Sequence, residues 1–151
     1  MSTSLWNRSR DTRKGLPSAT MRTPIAGSVY VAVVDDDENL RRSFARLLRA
    51  AGIRPITYES AEAFLADPAR ARIDCLVLDV QLPGMSGLEL QQHLGTGGSK
   101  PEILFITAYD NPRSREQAYA MGCSGYFRKS DSGRDVLNAI KGVIARRSRA
   151  T

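Results

Sequence analysis

Carboxylate, hydroxyl and ammonium side chains accompany four short apolar segments of this 151-residue chain. VYVAVV is followed by three aspartates (residues 35–37), and CLVLDV contains Asp79. ILFI is followed by Thr107, and GYFR by Lys129. In an open sheet of parallel strands, the carboxyl ends of the strands form a crevice where ligands bind. The sequence therefore predicts that these groups meet in one site.

The predicted cluster of carboxylates needs a cation, because two carboxylates 4 Å apart repel each other by about 4 kcal/mol at an effective dielectric constant near 20. Mg²⁺ prefers oxygen ligands, and Lys129 is the other nearby cation that the sequence supplies. Asp35, Asp36 and Asp79 then balance magnesium and lysine in formal charge. Such a site suits phosphoryl transfer, with Asp79 as the nucleophile and the Thr107 hydroxyl as a donor to a phosphoryl oxygen.

Five apolar runs alternate with amphipathic segments from residue 29 onward. The first, third and fourth are apolar at nearly every position, which is typical of parallel strands covered on both faces. Five consecutive βα units with right-handed crossovers predict an α/β fold with a doubly wound parallel sheet. The runs are VYVAVV (29–34), IRPITY (53–58), CLVLDV (75–80), ILFIT (103–107) and GYFRK (125–129).

Helix starts are marked by residues that commonly cap helices. Ser60, Ser86, Asn111 and Ser132 each precede a predicted helix. Asp37 is interpreted as the cap of the first helix in preference to a third metal ligand.

The net charge of +6 is concentrated at the two ends of the chain. Residues 1–24 carry +4 and residues 141–151 another +4, which leaves −2 for residues 25–140. We predict a disordered basic N-terminal tail (1–27), one domain (28–146) and a short basic C-terminal tail (147–151). Because the predicted domain is mildly acidic, we do not expect direct nucleic-acid binding through a basic face.

The sequence excludes a membrane-spanning protein and a protein secreted by a signal peptide. No apolar stretch approaches the roughly 18 residues of a membrane span, and the N-terminus lacks the apolar core of a signal peptide. We therefore expect a cytoplasmic protein without membrane partners.

Cys75 and Cys123 occur without a CxxC motif, so we expect two reduced, buried thiols and no zinc site.

Four separated motifs resemble the receiver domain of bacterial two-component response regulators, in the family's order and spacing. The resemblance covers about residues 28–146 and implies a flavodoxin-like, five-stranded parallel sheet with strand order 2-1-3-4-5 and five helices. The motifs are VVDDDENLRRSF, LVLDVQLPGMSGLEL, FITAYD and GYFRKS.

By this resemblance, Asp79 is the phosphoacceptor and the cofactor is Mg²⁺. Asp36 binds the metal directly and Asp35 largely through water, while Asp79 and the backbone carbonyl of Gln81 complete the protein ligands.

The resemblance also implies that Thr107, Lys129 and the backbone amide of Ala108 contact the phosphoryl group. Tyr126 resembles the family's aromatic switch residue, which turns inward when Thr107 moves toward the phosphate; a half-buried strand tyrosine is the alternative. One departure is Ser130, because the family usually has proline after the lysine.

The expected function is that of a phosphorylated signalling module, with no catalysis beyond its own phosphorylation and dephosphorylation. A histidine kinase or phosphotransfer protein would donate the phosphoryl group. The surface of helix 4, strand 5 and helix 5 would then change for an output partner or a phosphorylation-dependent homodimer. Five residues after 146 leave no room for an output domain, which predicts a stand-alone receiver or part of a longer regulator. SAEAFLA (60–66) is similar to receivers attached to helix-turn-helix transcription factors.

Three other functions are considered. A degenerate receiver would act as an interaction module without phosphorylation, an alternative that Ser130 keeps open. The basic tails would allow binding to nucleic acid or an acidic partner. A dehalogenase-type phosphatase is disfavoured, because its nucleophile lies in a DxD pair on the first strand, whereas Asp79 lies on the third and is followed two residues later by Gln81.

Overall fold

A computed structural model describes residues 28–95 and 100–150, which form alternating strands and helices. The α/β class, the doubly wound sheet and the five helices are all confirmed. The strands are β1 (Tyr30–Val34), β2 (Arg54–Tyr58), β3 (Cys75–Asp79), β4 (Glu102–Thr107) and β5 (Gly125–Arg128). The helices are α1 (Glu38–Ala50), α2 (Ala61–Ala66), α3 (Gly87–Leu94), α4 (Pro112–Ala120) and α5 (Gly133–Ala150). A 3₁₀ turn that the sequence analysis did not predict spans Pro68–Arg72.

The five strands form one parallel sheet in the predicted order, β2-β1-β3-β4-β5. Val34 of β1 is paired with Leu78 of β3, and Asp79 is paired with Ile106 of β4. This register aligns the carboxyl ends of the three central strands. The residues that follow or end these strands are therefore brought to one edge of the sheet.

Helices cover both faces of the sheet and create two apolar layers. On one face, Phe64 and Leu90 pack with Ala118 of α4. On the other, Leu48 of α1 packs with Ile140 of α5. Burial on both faces explains why β1, β3 and β4 are apolar at nearly every position. β2 lies at an edge and is partly exposed, which suits its Pro55.

The predicted caps are present at the helix starts. Asp37 accepts hydrogen bonds from two backbone amides of α1, so its interpretation as a cap is confirmed. Ser60 caps α2, and Asn111 caps α4. Ser86 and Glu89 form a reciprocal capping box at α3. These caps fix where each loop at the carboxyl edge ends.

The C-terminal helix is longer than the domain boundary at residue 146 would suggest. It continues through Ala150, and the guanidinium of Arg147 donates a 3.3 Å hydrogen bond to the carbonyl of Lys100. The basic residues at 147–150 thus extend α5. The predicted N-terminal tail (1–27) lies outside the described residues.

Among residues 28–95 and 100–150, none of the helices has the length and apolar character needed to cross a membrane.

Candidate functional site

The carboxyl edge of the sheet brings together two buried aspartates from adjacent strands. Asp35 follows β1 and is fully buried, while Asp79 ends β3 and is 3% exposed. The Asp37 backbone amide donates a 2.8 Å hydrogen bond to Asp35 Oδ1, and the Gln81 amide donates a 3.0 Å bond to Asp79 Oδ1. Backbone donors at the start of each loop thus orient both carboxylates.

Lys129 reaches these aspartates from the end of β5. Its Nζ lies 2.9 Å from Asp79 Oδ2 and 3.0 Å from Asp35 Oδ2. Partial burial by itself would lower the pKa of Lys129, but the hydrogen bonds and charges of the two carboxylates outweigh it and raise that pKa above its usual value. The ammonium is therefore charged at neutral pH. The bond to Asp79 is present although Ser130 occupies the position of the family's proline.

Asp79 is held in an environment that disfavours its charged form. Burial is the main cause that raises its pKa to about 6, and the negative charge of Asp35 adds to it. The hydrogen bonds from Lys129 and the Gln81 amide oppose this rise. At neutral pH Asp79 is therefore a carboxylate whose charge is unfavourably buried. An additional cation would stabilise that charge.

Asp36 joins the two buried aspartates in an acidic cluster at the crevice. One carboxylate oxygen from each of Asp35, Asp36 and Asp79 lies within 4.8 Å of the others. Asp36 is exposed, which leaves the cluster open to solvent. Asp35 Oδ2 is buried, and its charge is paired with the Lys129 ammonium at 3.0 Å. Lys129 is the counterion that the described residues supply, so this oxygen-rich cluster has an excess of negative charge and fits a divalent cation such as Mg²⁺.

Gly87 allows the third helix to begin directly against Asp79. A Cβ at this position would overlap the carbonyl oxygen of Asp79. The Gly87 amide instead donates a 2.9 Å hydrogen bond to the Val80 carbonyl. A glycine is thus required at this contact between α3 and β3.

Thr107 lies at the carboxyl end of β4 as predicted, but its hydroxyl is bonded within the following loop. The hydroxyl donates to the Tyr109 carbonyl at 2.9 Å, and the Tyr109 amide donates back to it at 3.1 Å. Ala108, whose amide is the other predicted phosphoryl contact on this loop, is exposed. A hydrogen bond donated by Thr107 to a phosphoryl group would therefore replace the bond that its hydroxyl donates to the Tyr109 carbonyl.

Tyr126 is buried in this structure, with 5% of its surface exposed. Its ring packs against Phe105 at a centroid distance of 6.1 Å. The Arg115 guanidinium of α4 lies 4.8 Å above the ring, a cation–π contact. Its hydroxyl is buried without a hydrogen-bond partner among the described residues. These contacts connect β5 to α4.

Comparisons with known proteins agree with this geometry. The model of the response regulator receiver domain matches residues 31–141. The chain belongs to this family. The transcriptional regulatory protein TdiR of Thauera aromatica is 36% identical over 123 residues, which are 82% of this chain and 54% of that protein. The response regulator protein TmoT of Ectopseudomonas mendocina is 34% identical over 114 residues, covering 76% of this chain and 52% of that protein.

A solved receiver structure has the same fold as this chain. A crystal structure of a response regulator receiver protein from Burkholderia phymatum is 40% identical, with a TM-score of 0.68, and the match covers 78% of this chain and 96% of that one. The receiver chain spans about half the length of the curated relatives it matches.

Three side chains near the receiver site were not found by sequence reasoning. The Arg41 guanidinium of α1 donates a 2.7 Å hydrogen bond to the Asp35 carbonyl. Glu62 of α2 accepts a 2.8 Å hydrogen bond from the Met85 amide. The third is Arg115, described above. Glu62 and Arg115 contact residues of other elements, so no local sequence pattern signals these two pairings.

Proposed function

We propose that this receiver domain accepts a phosphoryl group on Asp79, in a magnesium-dependent reaction, from the phosphohistidine of a histidine kinase or phosphotransfer protein. In this step the P–N bond of the donor breaks and a P–O bond forms to the Asp79 carboxylate. The donor histidine nitrogen retains the electron pair of the broken bond. The observation that carries the proposal is the convergence of Asp79, Asp35, Asp36 and Lys129 at one solvent-open edge.

The protein residues prepare Asp79 as a nucleophile. The Gln81 amide and the Lys129 ammonium each hold one of its oxygens, so the carboxylate is fixed in orientation before reaction. A pKa of about 6 leaves it largely ionised at neutral pH. Lys129 is also close enough to contact an oxygen of a phosphoryl group attached to Asp79, where its charge would oppose the added negative charge.

Asp35, Asp36, Asp79 and the Gln81 carbonyl are the groups that would hold Mg²⁺. When bound, the ion neutralises charge that develops on the phosphoryl oxygens. The close approach of three carboxylate oxygens, within 4.8 Å of one another, supports this assignment, because the single charge of Lys129 does not balance them.

Phosphorylation would change the surface formed by α4, β5 and α5. In the proposed switch, Thr107 donates its hydroxyl proton to the phosphoryl group instead of to the Tyr109 carbonyl, the Ala108 amide donates to the same group, and Tyr126 follows Thr107. Helix α4 is a suitable moving element, because Ala118 is its buried residue and Tyr119 is 47% exposed. An output protein, or a second receiver in a homodimer, would recognise the altered surface.

The proposed setting is cytoplasmic signalling, either as a separate receiver or as the receiver part of a transcriptional regulator. The second possibility is supported by relatives that are named transcriptional regulators and are about twice the length of the match. We propose no catalysis other than the domain's own phosphorylation and dephosphorylation.

The test is to incubate the full chain with acetyl phosphate and measure its intact mass. We expect the wild type to gain one phosphoryl group with Mg²⁺ and none with EDTA. Asp79→Asn should gain none, whereas Asp135→Asn, which changes an exposed aspartate of α5, should behave as the wild type. An unmodified wild type that also fails to bind beryllofluoride with Mg²⁺ would refute the proposal and favour a degenerate receiver.

A further inference from the structure

The β3–α3 loop (residues 80–86) carries Gln81, and its two ends are fastened to the sheet. At the first end, the Gln81 amide bonds to Asp79 Oδ1. At the other, the Gly87 amide bonds to the Val80 carbonyl. Between these ends Leu82 is buried in the apolar core, whereas Pro83 and Gly84 are exposed.

The end of the loop that follows Pro83 and Gly84 is held by a side chain from another βα unit. The Met85 amide donates a 2.8 Å hydrogen bond to Glu62 Oε2, which belongs to the first turn of α2, 23 residues earlier in the chain. The bond from Met85 lowers the pKa of Glu62. Glu62 is therefore a carboxylate at neutral pH, and a charged acceptor forms the stronger kind of hydrogen bond.

The backbone at Gly84 lies close to the same carboxylate. Its φ is +74°, a conformation that side chains other than glycine rarely adopt. A Cβ at Gly84 would lie 2.6 Å from Glu62 Oε2. Glycine therefore permits both the turn and the close approach of Glu62, but it also makes the loop flexible unless a contact restrains it.

We propose that Glu62 is a positioning residue for phosphoryl acceptance: it restrains the β3–α3 loop and thereby holds Gln81 beside Asp79. This inference rests on the proposed function, because Gln81 contributes its amide to Asp79 and its carbonyl to the metal there. Glu62 itself contacts neither the acceptor nor the metal ligands. Its effect is on the conformation of the loop.

The experiment measures the rate of phosphorylation by acetyl phosphate as a function of Mg²⁺ concentration in the full chain. We expect Glu62→Ala to require more Mg²⁺ for half-maximal rate and to react about fivefold more slowly at low Mg²⁺. Glu62→Gln keeps an acceptor oxygen and should stay within about twofold of the wild type. Glu59→Ala is the matched control, because Glu59 is an exposed carboxylate just before α2 with no hydrogen bond or ion pair among the described residues.

A second variant tests the close approach of Glu62 to Gly84. Gly84→Ala should slow phosphorylation in the wild-type background, because the new Cβ meets Glu62. In the Glu62→Ala background Gly84→Ala should slow phosphorylation less, because the carboxylate is absent and only the unfavourable φ of residue 84 remains. Equal losses in both backgrounds would overturn the proposed contact.

Amide hydrogen exchange without metal separates this inference from the proposed function. Residues 81–86 should exchange faster in Glu62→Ala than in the wild type, and the rest of the sheet should be unchanged. If the wild type accepts no phosphoryl group, the proposed function fails, and the exchange result still decides whether Glu62 restrains the loop. Unchanged exchange and an unchanged Mg²⁺ dependence in Glu62→Ala would overturn the role of Glu62.

Discussion

Replacing Asp79 by asparagine should stabilise the metal-free receiver domain at neutral pH. The side chain is 3% exposed, and its ionised form is disfavoured mainly by burial and also by the charge of Asp35. Asparagine has nearly the same shape and remains neutral. The substitution therefore removes an unfavourable buried charge and retains most of the packing.

The magnitude follows from the pKa of Asp79, which is about 6 in the folded protein and 3.8 in an unperturbed aspartate. The folded state thus binds the proton more tightly than the unfolded chain does. The stability contributed by protonated Asp79 is fully present below pH 3.8 and is lost as the pH rises through about 6. A difference of about two pH units corresponds to a loss of about 3 kcal/mol at pH 7. We expect Asp79→Asn to recover about 2 to 3 kcal/mol of this loss, or roughly 10 °C in Tm.

The assay is urea unfolding in EDTA at pH 7.5 and at pH 4. At pH 7.5 the variant should be the more stable protein, and at pH 4 the difference should largely disappear. Glu116→Gln serves as a control, because Glu116 is an exposed carboxylate of α4 and its neutralisation should change stability by less than about 0.5 kcal/mol. Addition of Mg²⁺ should stabilise the wild type more than Asp79→Asn, since a ligand stabilises the folded state more when it binds that state more tightly.

Two results would refute this reasoning. A metal-free Asp79→Asn protein that is less stable than the wild type at pH 7.5 would show that the Lys129 contacts outweigh burial of the carboxylate. A stability difference that is the same at pH 4 and pH 7.5 would show that the ionisation of Asp79 is not its cause.

Other predictions concern packing and thiol reactivity. Gly87→Ala should destabilise the fold by more than about 2 kcal/mol in urea unfolding, because the added Cβ overlaps the Asp79 carbonyl oxygen. Gly142→Ala in α5 should instead stabilise by up to about 1 kcal/mol, since its Cβ meets only the end of a flexible arginine; destabilisation there would contradict the described helix packing. Cys75 and Cys123 are both buried, and burial raises the pKa of Cys75 to about 12. Neither thiol should react readily with a disulfide reagent at pH 7.5 before unfolding, and rapid labelling of the folded protein would show that the thiols are accessible.

The strands and the site residues could be predicted from sequence because both have a local cause. A strand buried on both faces must be apolar at nearly every position, as Val31 to Val34 are, and each predicted run lies within a residue or two of the strand observed. Polar groups that interrupt or follow such strands have few structural explanations. Their position at strand ends was therefore informative before any distance was known.

The side-chain contacts around the site could not be predicted in the same way. Glu62 contacts Met85, and Arg115 lies over Tyr126, only because neighbouring βα units pack side by side. The direction of the Thr107 hydroxyl is another example, since it depends on the conformation of the β4–α4 loop. The sequence identified Thr107, but its bonds to the loop backbone could be found only from the folded structure.

The sequence by itself determined the order of the βα units, the strand ends that carry Asp35, Asp79, Thr107 and Lys129, and the resemblance to the receiver family. These follow from the chain's own periodicity and from motifs that are contiguous in sequence. Tertiary structure decided how the groups interact: Lys129 lies between two buried carboxylates, and an oxygen of Asp36 lies within 4.8 Å of an oxygen of each. Burial and charge depend on the summed surroundings of a group in space, and distant parts of the chain supply most of those surroundings.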